Sequence, residues 1–190
     1  MRIIRGNLKS RRFSIPKNFP SRPTTDFAKE GLFNLLENQY DIEDMTVLDL
    51  CAGTGNISFE FVSRDIGHVT CVDKDFNCVK FIRQNSIAFG IEDKMEVIKM
   101  DVILYLKKTD KKFDIIFSDP PYDVKFHDQV AQIVFERNLL NEDGLLIIEH
   151  GRHTALQKIP QFDTMRPYGN VYFSFFTYKN ELESPLKIVN

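Results

Sequence analysis

The apolar positions of this chain change period along its length, and the change lays out an order of elements. In DFAKEGLFNLLENQ (26–39), Ala28, Leu32, Leu35 and Leu36 share one helical face. From Thr46 onward, short apolar runs alternate with helical stretches. TVLDL (46–50) reads as a buried strand and NISFEFVSR (56–64) as the helix after it. VTCVD (69–73) is a second strand. Residues 75–89 then carry Val79, Ile82 and Ser86 at helical spacing and stop at Gly90. MEVIK (95–99), KFDIIF (112–117) and GLLIIEH (144–150) supply strands three to five.

Strands this apolar on both faces, separated by helices, predict an α/β fold: a doubly wound, mostly parallel sheet covered on both sides. The end differs. QFDTMRPYGNVYFSFFTYK (161–179) alternates apolar and polar residues around a Tyr-Gly-Asn turn, so an antiparallel hairpin completes seven strands. The tail ELESPLKIVN (181–190) is expected to fray. With 190 residues, 43% hydrophobic content and no internal repeat, one domain is expected over 1–180, led by an arm at 1–25.

In such a sheet, ligands bind beyond the carboxyl ends of the strands, near the point where strand order reverses. Four strand ends carry candidate chemistry. After the first comes DLCAGTGN (49–56), where Gly53 and Gly55 permit a tight turn and close approach of a ligand to the backbone. A purely structural glycine turn would look the same. Asp49, ahead of the glycines, suits a ligand with a positive group more than a pyrophosphate. Asp73, at the end of the second strand, stands where a carboxylate accepts both hydroxyls of a ribose, though a solvated strand-end acid is the plainer reading. Asp101 could accept from an adenine amino group while the Val102 N–H donates to the ring; Asp101 could equally be a helix N-cap. Together these sites describe a pocket for S-adenosylmethionine.

The fourth strand delivers FSDPPY (117–122) to the same edge. An exocyclic amine on a nucleobase is a poor nucleophile because its lone pair is delocalised into the ring. Asp119 and the Pro120 carbonyl can each accept one N–H, favouring a pyramidal nitrogen. The fixed φ of the prolines keeps those acceptors aimed. Tyr122 can stack on the base. A target base in a duplex or folded RNA would have to be turned out of its stack.

LDLCAGTGN, Asp73, Asp101 and DPPY resemble the S-adenosylmethionine-dependent amino-methyltransferases. RPTTDFAKEGLFNLL (22–36), with MRIIRG at the start, resembles the signature of the RsmD-type 16S rRNA (guanine-N(2)-)methyltransferase family. The resemblance runs from residue 1 to about 178. It implies the Rossmann-like class I methyltransferase fold and methylation of one guanine amine in small-subunit ribosomal RNA. Carried over, Arg22 to Asp26 border the pocket, while Asp119, Pro120 and Tyr122 bind the base. Phe27 stands where the family usually has a basic residue, and Cys51 where an aromatic is common. Ser10-Arg11-Arg12-Phe13 replaces the usual Gly-Arg-Lys-Leu-like run.

Charge adds a partner. Between Met1 and Glu30, eight basic residues face two acids, a net of +6 against −2 for the whole chain. That asymmetry points to a polyanion, with Arg2, Arg5, Lys9, Arg11, Arg12 and Arg22 as candidate rRNA contacts; a flexible, solvated terminus is the alternative. Cys51, Cys71 and Cys78 have no CxxC spacing and His150 and His153 no partner pair, so reduced thiols and no metal are expected. No apolar run approaches a membrane span, and the charged start does not suit a signal peptide, so a cytoplasmic protein with no obligate protein partner is expected.

Three rivals share parts of this pattern. A DNA adenine or cytosine amino-methyltransferase normally adds a target-recognition region, yet only 68 residues follow Tyr122. A protein-glutamine methyltransferase usually carries a helical region before the glycine turn, where this chain has 45 residues before Thr46, basic ones among them. An RNA-binding module with a vestigial pocket has no use for the intact acid set.

Overall fold

The computed structural model describes residues 1–17, 19–20, 24–120 and 124–178. Its elements run α1 (Asp26–Gln39), β1 (Thr46–Leu50), α2 (Asn56–Ser63), β2 (His68–Asp73), α3 (Phe76–Phe89), β3 (Met95–Lys99) and α4 (Val102–Lys108). There follow β4 (Phe113–Ser118), α5 (Val124–Glu136), β5 (Leu140–Gly151), β6 (Phe162–Tyr168) and β7 (Val171–Phe176). Seven strands form one sheet in the order β3-β2-β1-β4-β5-β7-β6. The first five are parallel and β7 is antiparallel to both neighbours, so the predicted sheet and hairpin are both present. The order reverses between β1 and β4.

Alternation along the strands divides the core. Val47, Ile115, Ile147 and Phe173 pack with α1, α2 and α3 on one face, while Leu48, Ile116, Ile148 and Phe176 pack with α4 and α5 on the other. The caps follow local chemistry. The Thr25 hydroxyl accepts from the Ala28 N–H, Asp75 caps α3, and Gly90, at φ +68°, closes α3 in a conformation glycine adopts without strain. No helix among the described residues is long and apolar enough to cross a membrane.

Two elements differ from expectation. β5 begins at Leu140 rather than 144, because the polar Asn-Glu-Asp stretch extends the strand through a bulge where the β4 register shifts, Asp143 adopting φ +58°. On α1, Leu35 is only half-buried, and Lys29 and Phe33 complete the inward face.

The basic arm is folded. Ile3 and Phe13 are buried, and an antiparallel bridge joins Arg2 to Arg12. The N–H groups of Ile4 and Arg5 donate to the Glu60 carboxylate at 3.0–3.1 Å. This lobe covers the outer side of α2, and all eight residues of that helix are buried. The flexible-terminus alternative therefore fails for residues 1–17. The charge count also needs correcting, since Lys29 is not at the surface. Its ammonium and Glu60, both wholly buried, lie 2.9 Å apart. Lys29 also donates to the Arg2 carbonyl and Asn56 Oδ1, while Arg64 pairs with Glu60 and Glu37. The predicted frayed tail lies outside the described residues.

Candidate active site

The turn after β1 is built by glycines. Gly53 and Gly55 have φ of +55° and +72°. A Cβ on Gly55 would stand 2.9 Å from the Phe59 ring, so no other residue fits without displacing the core. The Gly53 N–H donates to Asp73 Oδ2 at 2.9 Å and the Asp75 N–H to Asp73 Oδ1 at 2.8 Å. These bonds hold the buried Asp73 carboxylate at the end of β2, each oxygen keeping a lone pair for a further donor. The solvated-acid reading of Asp73 is not what the structure shows.

Asp101 is exposed and caps α4, accepting from the Leu104 N–H, which is the capping role left open by the sequence. Val102 opens that helix, where a backbone N–H has no partner inside the helix.

Asp49 is 2% exposed and accepts from the Ser58 hydroxyl. Burial drives its pKa up to about 7; the Ser58 bond opposes the rise, and Asp73 and Glu149 add to it. Asp119 follows β4 directly, its N–H donating to the Leu50 carbonyl at 3.3 Å. Burial, then the charges of Glu149 and Asp49, raise its pKa well above the carboxylate range. Pro120 is buried beside it. Tyr122 and Arg22 lie outside the described residues.

Glu149, near the end of β5, was not anticipated. Ser118 of β4 stands opposite Ile148 of β5, so Asp119 and Glu149 are the next pair along. Glu149 is 8% exposed, and burial raises its pKa to about 7 against an opposing bond from Thr24. The Thr24 hydroxyl donates to Glu149 Oε2 at 2.8 Å, seating the residues ahead of α1 over the cleft. Asp49, Asp119 and Glu149 thus form a row across the ends of β1, β4 and β5. No ion pair reaches them among the described residues. The signal for Glu149 was present in IIEH, an acid ending an apolar run, as Asp49 ends TVLDL.

Asn56, first in α2, donates to the Thr24 carbonyl and accepts from Lys29, coupling the glycine turn to the buried charges beneath the arm. Phe76, 58% exposed and three residues after Asp73, lies under the Lys99 ammonium at 5.6 Å and offers a ring at the rim. Arg2 and Arg5 are exposed and paired with Asp26 and Glu37, while Lys9, Arg11 and Arg12 are exposed on the same lobe.

A parallel sheet that reverses between β1 and β4, ends in an antiparallel hairpin and carries acids at successive strand ends defines the methyltransferase-type Rossmann-like class. A solved structure of Escherichia coli, the "Putative methyltransferase yhhF", shares the fold with a TM-score of 0.82, at 24% identity over 93% of this chain and 96% of that one. The chain belongs to the family described as Conserved hypothetical protein 95, whose model matches residues 1–177. Among its relatives, the ribosomal RNA small subunit methyltransferase D of Buchnera aphidicola is 33% identical over 78% of this chain and 75% of its own length. The protein of the same name from Haemophilus influenzae is 27% identical over 95% and 94%.

Proposed function

We propose that this chain is an S-adenosylmethionine-dependent methyltransferase acting on the exocyclic N2 amine of one guanine in small-subunit (16S) ribosomal RNA. It would work in the cytoplasm, with residues 1–180 as a single methyltransferase domain. The observation that carries the reading is the row of Asp49, Asp119 and Glu149, two buried carboxylates with a half-buried one between them and no cation paired to any of the three among the described residues. Such a row favours a ligand with positive groups, and a sulfonium bearing an ammonium tail has two. The relatives named for small-subunit rRNA support the substrate class.

When bound, S-adenosylmethionine supplies a methyl group already electrophilic on its sulfonium. The chain's task is then to bind and aim. Asp49 would pair with the ammonium, and Asp73, its carboxylate fixed by two backbone N–H groups, would accept from the ribose hydroxyls. Asp101 and the Val102 N–H would meet the adenine edge, with the Phe76 ring beside it. Asp119 and the Pro120 carbonyl would each accept one N–H of the guanine amine, and Tyr122 would stack on the base. Holding the reactants in line accounts for roughly 7–11 kcal/mol of barrier.

The amine must lose one proton as it gains the methyl group. Asp119 is the acceptor at hand, with Glu149 beside it to share the proton. Arg2, Arg5, Lys9, Arg11, Arg12 and Arg22 would contact rRNA phosphates. The exposed pairs holding Arg2 and Arg5 are worth about 0–1 kcal/mol, weak enough for a phosphate to displace.

The test is to incubate the protein with labelled S-adenosylmethionine and small subunits lacking the modification, then map the label. One N2-methylguanine in 16S rRNA is the expected product. Label in DNA, in a glutamine side chain or nowhere would overturn the reading.

A further inference from the structure

The chemistry above leaves an aromatic feature at the rim unused. Phe27, in the first turn of α1, is 68% exposed, the most exposed large apolar side chain among the described residues. Its ring meets the Tyr168 ring edge-on, with centroids 6.1 Å apart at 74°. Tyr168 is in turn fixed. Its hydroxyl donates to the Gly31 carbonyl at 3.0 Å, and its ring packs on Phe173 at 5.7 Å. A Cβ on Gly31 would fall 2.0 Å from that ring, so this helix position is bare where the tyrosine seats.

Both rings lie at the carboxyl edge of the sheet. The Thr24–Glu149 bond brings the start of α1 to the end of β5. Tyr168 stands opposite Val171, which stands opposite Gly151, where β5 ends. β6 is three strand spacings from β4, roughly 14 Å from the strand that delivers Asp119. Cations flank the rings: Arg2 pairs with Asp26 next to Phe27, and Arg166 shares the strand face of Tyr168, two residues before it. Arg152, exposed, directly follows β5.

The geometry points to Phe27, backed by Tyr168, as a stacking platform for an unpaired nucleobase flanking the target, with Arg2 and Arg166 placed for its phosphates. This rests on the rRNA reading given above. An apolar ring held in water by a rigid neighbour gains from any base face, and the guanidinium groups around it complement a phosphate chain. The acid row selects the cofactor and repels RNA phosphates, so flanking nucleotides need a grip outside it.

Two variants test the platform. The chain has no tryptophan, so Phe27→Trp places a single indole there. Its emission is expected to fall when unmodified small subunits are added, and ultraviolet irradiation is expected to cross-link it to 16S rRNA. Phe27→Leu keeps an apolar side chain but cannot stack. It is expected to raise KM for the subunits five- to a hundredfold, equivalent to about 1–3 kcal/mol of base stacking. Its affinity for S-adenosylmethionine should not change. A Leu variant with wild-type KM, an indole unquenched by bound subunits, or a cross-link to a ribosomal protein instead of rRNA would each overturn the platform alone. A wild-type protein that binds the cofactor but neither binds nor methylates subunits would sink the rRNA reading, and the platform with it.

Discussion

Two clusters of buried charge lie on the same side of the sheet, and they are built to opposite rules. Beneath the arm, the buried Lys29 and Arg64 pair with Glu60, Arg64 also reaches the exposed Glu37, and Glu60 takes two backbone N–H groups as well. Burial pushes the Glu60 pKa up, but Lys29 and Arg64 bring it below the usual value. At the sheet edge, Asp49 and Glu149 are also buried and Asp119 is half-buried, yet here desolvation wins and their pKa values rise. The first cluster completes its own charge. The second has no cation of its own among the described residues, as a site for a cationic ligand would require. A buried ion pair stabilises only when every member is satisfied, so an unsatisfied row survives where a ligand supplies what is missing.

The contrast predicts opposite failures. Lys29→Met leaves Glu60 buried without its ammonium, and denaturant unfolding should show a loss of about 3–5 kcal/mol. A loss below about 1 kcal/mol would show that the cluster does not hold the arm. Asp119→Ala should leave the fold intact and slow single-turnover methylation by roughly 10²–10³, as when one aimed acceptor or donor is removed from an active site. Near wild-type turnover would remove Asp119 from the reaction. Asp73→Ala should weaken S-adenosylmethionine binding by about 1.5–3 kcal/mol in calorimetry, the worth of a bond to a charged group. An unchanged dissociation constant would take Asp73 out of the site.

The smallest effect is in pH. Asp49 has a pKa of about 7 in the free protein, and a cationic ligand lowers it, so protons compete with the ligand. Cofactor affinity should therefore hold above pH 7 and fall roughly fivefold between pH 7 and pH 6. Asp49→Asn should flatten that dependence. The two clusters also carry opposite signs in stability. The raised acids make the free protein more stable as pH falls from about 7 toward the ordinary carboxylate range. The lowered Glu60 contributes above its unfolded value and loses its contribution as pH falls through its folded one.

What was legible in the sequence follows the range of the interactions. TVLDL, VTCVD and KFDIIF announce themselves because a strand buried on both faces has no polar side, and the acids at their ends stand out against that background. Glu149 obeyed the same rule but was absorbed into the apolar run IIEH. Lys29 was illegible, since a lysine at a helical position reads as solvent-facing until its partner 31 residues later is known to be buried with it. The folded state of the arm was hidden by its charges. Ile3 and Phe13 anchor it, but two apolar residues among so many cations form no period. Thr24 was placed at the pocket border only by the resemblance of RPTTD; its bond to Glu149 could not be read locally, because it depends on a strand at the far end of the chain.

That last bond has a consequence in time. Thr24 and Glu149 are separated by 125 positions. At about 5–20 residues per second, Glu149 is synthesised roughly 6–25 s after Thr24. Until β5 docks beside β4, Asp119 lacks its acidic neighbour and Asp49 has one fewer, and water reaches the edge of a sheet missing its last three strands. In a chain that folds as it is made, the cost of gathering like charges in a dry place therefore falls when β5 docks, with β1 to β4 already in place to hold it. Such a chain meets its least favourable electrostatics late.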